Sequence, residues 1–194
     1  MKIVCMGDSL TEGDYGVKGK SGIANVKSVN YPFFLSKMLN AEVINYGKCG
    51  ANPLSYLNFL LNNELDLSST DIVILMLGAN GNLGEGNDQG NEAYKKIVEY
   101  INVNAKGAKL YILTTPHVTI NPMYSNCGYI NNVLKANEFI YEFVKENNIP
   151  LIDTFKCEYF TEDTEYIMQS NDGLHFSEIG YYSLAKFIRD NLNL

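Results

Sequence analysis

A chain of 194 residues is near the size of one domain and long enough to bury most of the surface it exposes when unfolded. Its 46% hydrophobic and 19% charged residues are an ordinary globular balance that excludes general disorder, and a net charge of -7 with no Lys/Arg run argues against a nucleic-acid partner. No apolar stretch is long enough to span a bilayer and no signal-peptide core follows Met1, which predicts a cytoplasmic address.

Residues 2–6 form a compact apolar run stopped by Gly7, the pattern of a buried strand, and the polar, glycine-containing stretch beyond it reads as a loop. Residues 31–39 carry helical spacing behind Pro32, 42–46 give a second short strand stopped at Gly47, and a helix is expected over 53–62. Residues 71–77 are the most continuous apolar run and read as a strand buried on both faces, ending at Gly78. The Gly- and Asn-rich segment 81–91 has little to bury and reads as a mobile loop, after which 92–104 resumes helical periodicity. A fourth strand over 109–114, a long amphipathic helix over 129–147, a short strand over 150–153 and a closing helix over 177–192 complete the chain. Strands alternating with helices predict one domain over 1–194: a three-layer α/β/α arrangement around a five-stranded parallel sheet, flavodoxin-like, with ligands met at the strands' carboxyl ends.

Cys5, Cys49, Cys127 and Cys157 are scattered without the close pairing of zinc or redox sites, so free thiols are expected. The loops after successive strands gather on one edge of such a sheet, and their polar residues form a set: Asp8 and Ser9, the stretch from Asn45 to Gly50, Asn80, and the turn from Asp172 to His175. A serine hydroxyl needs a base to take its proton as it attacks, and only His117 and His175 are available. Asp172, three residues before His175 in a glycine-containing turn, can reach the ring's other nitrogen and fix its tautomer. The backbone amides of Ser9 and Gly50 and the Asn80 carboxamide are suitable oxyanion donors.

With these blocks in this order, the chain resembles the SGNH hydrolases, also called GDSL esterases and lipases, over nearly its whole length. The Gly7-Asp8-Ser9-Leu10 block carries the family's nucleophile and first oxyanion donor onto Ser9, the second block carries its glycine onto Gly50 with Gly47 close by, the third its asparagine onto Asn80, and the Asp-x-x-His block carries onto Asp172 and His175. Gly81 stands where the third block commonly has an acid, so the loop beyond is expected to be looser and the pocket differently shaped. The resemblance implies hydrolysis of a small acyl ester through an acyl-enzyme, with an acetylated carbohydrate, a short-chain ester or a lysophospholipid as substrate, and no metal or organic cofactor.

Each block also has a plainer reading. Asp8 and Ser9 suit a helix cap, Gly47, Gly50 and Asn80 suit turns, Ser177 suits the start of the last helix, and His117 suits an exposed loop. Tyr56, Phe59, Phe139, Tyr141 and Phe143 lie at helical spacing and read as core. The joint order of the nucleophile, the two donor types and the acid-base pair along one sheet edge favours catalysis. The rivals are an acyltransferase using the same residues and a flavodoxin-like phosphate- or flavin-binding module.

Overall fold

The computed structural model describes residues 1–13 and 29–194. Five parallel strands, β1 (Lys2–Gly7), β2 (Glu42–Gly47), β3 (Ile72–Met76), β4 (Lys109–Leu113) and β5 (Leu151–Ile152), pair in the order β2-β1-β3-β4-β5. The helices are α1 (Ser9–Glu12), α2 (Tyr31–Leu39), α3 (Pro53–Asn62), α4 (Asp88–Asn104), α5 (Tyr129–Asn147), α6 (Glu165–Met168) and α7 (Glu178–Asn191), with a 3-10 turn at Thr154–Lys156. This is the α/β architecture that the alternating pattern predicts.

Alternate residues of each strand point to opposite faces, and both faces are covered. Ile3, Cys5, Ile74 and Met76 pack toward α2 and α7, whereas Val4, Met6, Val73 and Leu75 pack toward α3, α4 and most of α5. The helix starts are set locally. Asn30 and Asn52 accept hydrogen bonds from the amides of Phe33 and Ser55, with a proline in the first turn of each helix, and Ser177 accepts one from Gly180.

The register puts the chemistry on one edge. Gly7 lies level with Gly47 on one side and Met76 on the other, so the chain leaves β1, β2 and β3 at the same height. A Cβ on Gly7 would sit 2.1 Å from the Met76 carbonyl oxygen, and only glycine allows that approach. β1 stands where the strand order reverses, and the crevice beyond the carboxyl ends of β1 and β3 is where such sheets receive ligands.

Two expectations change. The stretch after β1 begins as a one-turn helix, too short to show periodicity, and its remainder at 14–28 lies outside the described residues. The segment 81–91 is not idle: Leu83, Gly84 and Gly90 are buried, the Asn91 carboxamide bonds both the amide and the carbonyl of Gly84, and α4 starts at Asp88. None of the four cysteines is in a disulfide, Cys5 and Cys157 being buried and Cys49 exposed. Among the described residues no helix is long and apolar enough to cross a membrane.

Candidate active site

The first loop is built around Asp8. Its carboxylate accepts the amide of Leu10 at 3.0 Å, capping α1, and its other oxygen accepts the amide of Ala79 at 3.4 Å from the loop after β3. Asp8 is buried, and burial pushes its carboxyl up to about 6 against the opposing pull of the Leu10, Gly78 and Ala79 amides and of His175. Ser9 follows as the first residue of α1. The cap reading and the catalytic reading of this block therefore apply to neighbouring residues and do not compete.

The turn bearing His175 is closed on itself. The Ser170 amide donates to the His175 carbonyl at 2.7 Å, and Gln169 bridges Phe176. Gly173 has a φ of +75° and its Cβ position lies 2.1 Å from a Thr119 methyl, a place open to glycine alone. The loop after β4 clamps the turn, with Thr119 donating to the Gly173 carbonyl and Asn126 to that of Asp172. Inside it, Oδ1 of Asp172 accepts from the Ser170 hydroxyl at 2.8 Å and from the amides of Leu174 and His175 at 3.0 Å each.

Its other oxygen, Oδ2, lies 2.6 Å from Nδ1 of His175, and Nε2 of the same ring lies 2.9 Å from Oγ of Ser9. Burial acts to raise the pKa of Asp172, but the His175 hydrogen bond and charge, joined by the two backbone amides, outweigh it and hold the carboxyl at about 2. An ionised acceptor fixes the neutral imidazole with its proton on Nδ1, which leaves Nε2 to accept the serine proton. Residues 166 positions apart thus meet in one hydrogen-bonded row.

The opposite wall comes from the loops after β2 and β3. Lys48 donates to the Gly7 carbonyl, Cys49 donates to the Glu12 carboxylate, and Nδ2 of Asn80 donates to the Ala51 carbonyl at 3.0 Å. Of the two glycines named as donors, Gly47 has its amide taken by Oδ1 of Asn45 at 2.8 Å. Gly50 is exposed, with φ +70° and nothing within 4 Å of its Cβ position. The amides of Ser9 and Gly50 donate to no acceptor among the described residues. Asn80 spends one N–H on Ala51 and keeps the other.

His117 departs from the exposed-loop expectation. It is half-buried, its ring centroid is 6.4 Å from that of Phe155, and its buried Nε2 lacks a partner among the described residues. Burial lowers its pKa, offset in part by Glu162 and Glu165. Its carbonyl accepts Gln169 at 2.9 Å, so it belongs to the scaffold of the His175 turn. Two positioning contacts had no signal in the sequence: the tie from Asp8, placed there on the functional edge and read as a cap, to the Ala79 amide, and that from Gln169 to the His117 carbonyl. No group of three or more His, Cys, Asp or Glu able to hold a metal exists among the described residues.

Residues 5–182 match the GDSL-like Lipase/Acylhydrolase family. A lipase/acylhydrolase from Enterococcus faecalis superposes with a TM-score of 0.70 at 24% identity, covering 97% of this chain and 94% of that one. An aryl esterase from M. smegmatis gives 0.69 at 19% identity over 98% and 99% of the two chains, and a carbohydrate acetylesterase family member from Sinorhizobium meliloti gives 0.69 at 18% over 100% and 99%. At these identities the likeness speaks for the fold. A curated relative, the N-acylneuraminate cytidylyltransferase of Escherichia coli O18:K1:H7 (strain RS218 / NMEC), is 25% identical over 160 residues, which take in 80% of this chain but span only 36% of that protein's length.

Proposed function

Because the chain belongs to the GDSL-like lipase/acylhydrolase family, we propose that it is a serine esterase that forms an acyl-enzyme on Ser9. The observation that carries this reading is the row from Asp172 through His175 to Ser9, with spacings of 2.6 and 2.9 Å. As Oγ of Ser9 attacks the acyl carbon, its proton passes to Nε2 of His175, and the imidazolium is steadied by the ionised Asp172. The carbonyl oxygen, now an oxyanion, receives the amides of Ser9 and Gly50 and the uncommitted N–H of Asn80. His175 then returns the proton to the leaving alcohol. Water, deprotonated by the same nitrogen, hydrolyses the acyl group and restores Ser9.

A small acyl ester suits this site, and an acetylated carbohydrate is the reading that the name of one similar protein, a carbohydrate acetylesterase family member, supports. The direct test is Ser9→Ala assayed on p-nitrophenyl acetate. The expected result is loss of turnover to background with an unchanged thermal transition. A folded Ser9→Ala protein that retains full turnover removes Ser9 from the chemistry.

A further inference from the structure

A cleft of about 380 Å³, lined by Asn80 among others, opens between the loop after β3 and the first turns of α5. Asn82 lines it from the loop, Asn131 and Asn132 from the helix, and Lys135 one turn further on. We propose that this cleft is the subsite for the alcohol half of the ester and that it selects a polyhydroxylated alcohol, a carbohydrate. The proposal rests on the esterase reading and names its substrate class.

The side-chain amides of Asn82, Asn131 and Asn132 make no hydrogen bond among the described residues. Among the other helix-borne asparagines, the exposed Asn58 and Asn102 are likewise uncommitted among the described residues, and Asn91 and Asn137 bond Gly84 and Thr115. Asn62, Asn104, Asn147 and Asn191 each donate to the carbonyl four residues back, which uses the amide within its own helix. Three uncommitted carboxamides facing one cleft supply both donors and acceptors, and a sugar hydroxyl is a donor and an acceptor at once. An acyl chain or a bare hydrocarbon would gain nothing there and would strip water from the amides.

Gly81 makes the cleft what it is. The position where its Cβ would stand is 3.5 Å from the carbon, nitrogen and oxygen of the Asn132 amide. Any side chain at 81 would occupy the space in front of that amide, and an acidic one would take up its N–H groups. The replacement of the acid by glycine in the third block therefore leaves the Asn132 carboxamide open, one residue from the oxyanion donor Asn80.

The test compares two acetate esters of similar ring size, a methyl glucoside bearing one O-acetyl group and cyclohexyl acetate, which lacks the hydroxyls. The wild type is expected to favour the glucoside ester in kcat/KM, and the double variant Asn131→Ala/Asn132→Ala to reduce that ratio about tenfold, mainly through KM, as the loss of two hydrogen bonds predicts. Asn82→Gly, which suits the φ of +55° at that position, is the independent second variant and is expected to lower the ratio by a few fold. A wild-type ratio near one, or a ratio that neither variant moves, overturns the subsite while the esterase reading stands on the turnover of cyclohexyl acetate. Where neither ester is hydrolysed the esterase reading fails, and calorimetric titration of the protein with the acetylated glucoside decides the cleft alone: binding that the double variant loses supports it, and absent binding overturns it.

Discussion

The two walls that flank Ser9 are held in different ways. On the base side, both oxygens of Asp172 are engaged, Oδ1 by three donors and Oδ2 by the ring, and the turn is clamped from outside by Thr119 and Asn126. On the oxyanion side, Lys48, Cys49 and Gly50 are exposed, and the turn is tied down by a few bonds, one of them from Asn80 itself. The base is oriented by a turn closed on itself, whereas the other wall is braced by Asn80, which the proposed mechanism also assigns to the oxyanion. Preorganisation on the first wall should thus survive changes on the second, while the second should loosen when its own donor is removed.

The largest effect is expected where the first wall is broken. Asp172→Asn keeps the shape but offers the ring a neutral group, so the tautomer with a proton on Nδ1 is no longer enforced, and kcat is expected to fall roughly 10³- to 10⁴-fold with a smaller change in KM. The same carboxyl, held at about 2 in the fold, contributes about 2 kcal/mol that is present above its ordinary value near 3.8 and is lost as pH falls toward 2. Urea unfolding at pH 7 is therefore expected to show a less stable variant, with the gap to wild type closing at the acid end. Equal kcat in the two proteins would show that the row of hydrogen bonds does not serve turnover.

A smaller effect is expected on the second wall. Asn80→Ala removes one oxyanion donor, which lowers kcat by roughly 10²- to 10³-fold. It also frees the Ala51 carbonyl, so amide exchange over the Lys48–Ala51 turn is expected to quicken while that of Leu174 and His175 stays as in wild type. Exchange that quickens equally in both places, or in neither, would erase the difference between the walls.

That difference was not legible in the sequence, although much else was. β1, β3 and β4 are largely apolar runs closed by glycine or threonine, α2, α3 and α7 start at Asn30, Asn52 and Ser177, and α4 and α5 are legible from their apolar spacing alone, so order and class follow from local pattern. α1 and α6 have four residues each, a single turn in which no apolar repeat can show, and the early start of α4 is masked by the Gly- and Asn-rich composition before it. Ser9, Asp172 and His175, which the structure brings into one row, could be singled out because they stand in recognisable blocks. What joins the blocks was invisible: Asp8 reaches Ala79 across 71 positions and Asn80 reaches Ala51 across 29, and no local spacing encodes either. Nor did the sequence show that Asn45 occupies the amide of Gly47, which leaves Gly50 as the glycine proposed for the oxyanion.

Asp8 sits between the walls, and its effect on activity is expected to be the smallest of these. It is a buried carboxylate that ties the serine turn to the Asn80 loop, and burial raises its pKa to about 6. Because the fold binds this proton more tightly than the unfolded chain, the group's stabilising contribution is complete below about 3.8 and is lost as pH rises through about 6. Asp8→Asn replaces it with a neutral group that still accepts the Leu10 amide. Between pH 4 and pH 7 the variant is expected to gain on wild type by up to about 3 kcal/mol in unfolding free energy, with turnover at neutral pH within about tenfold. The variant also separates two titrations. The acid limb of kcat/KM should persist in Asp8→Asn if it reports protonation of His175, since a charged ring cannot take the serine proton. A limb that vanishes with Asp8 would mean that activity follows the charge of the tie between the two walls and not the state of the base.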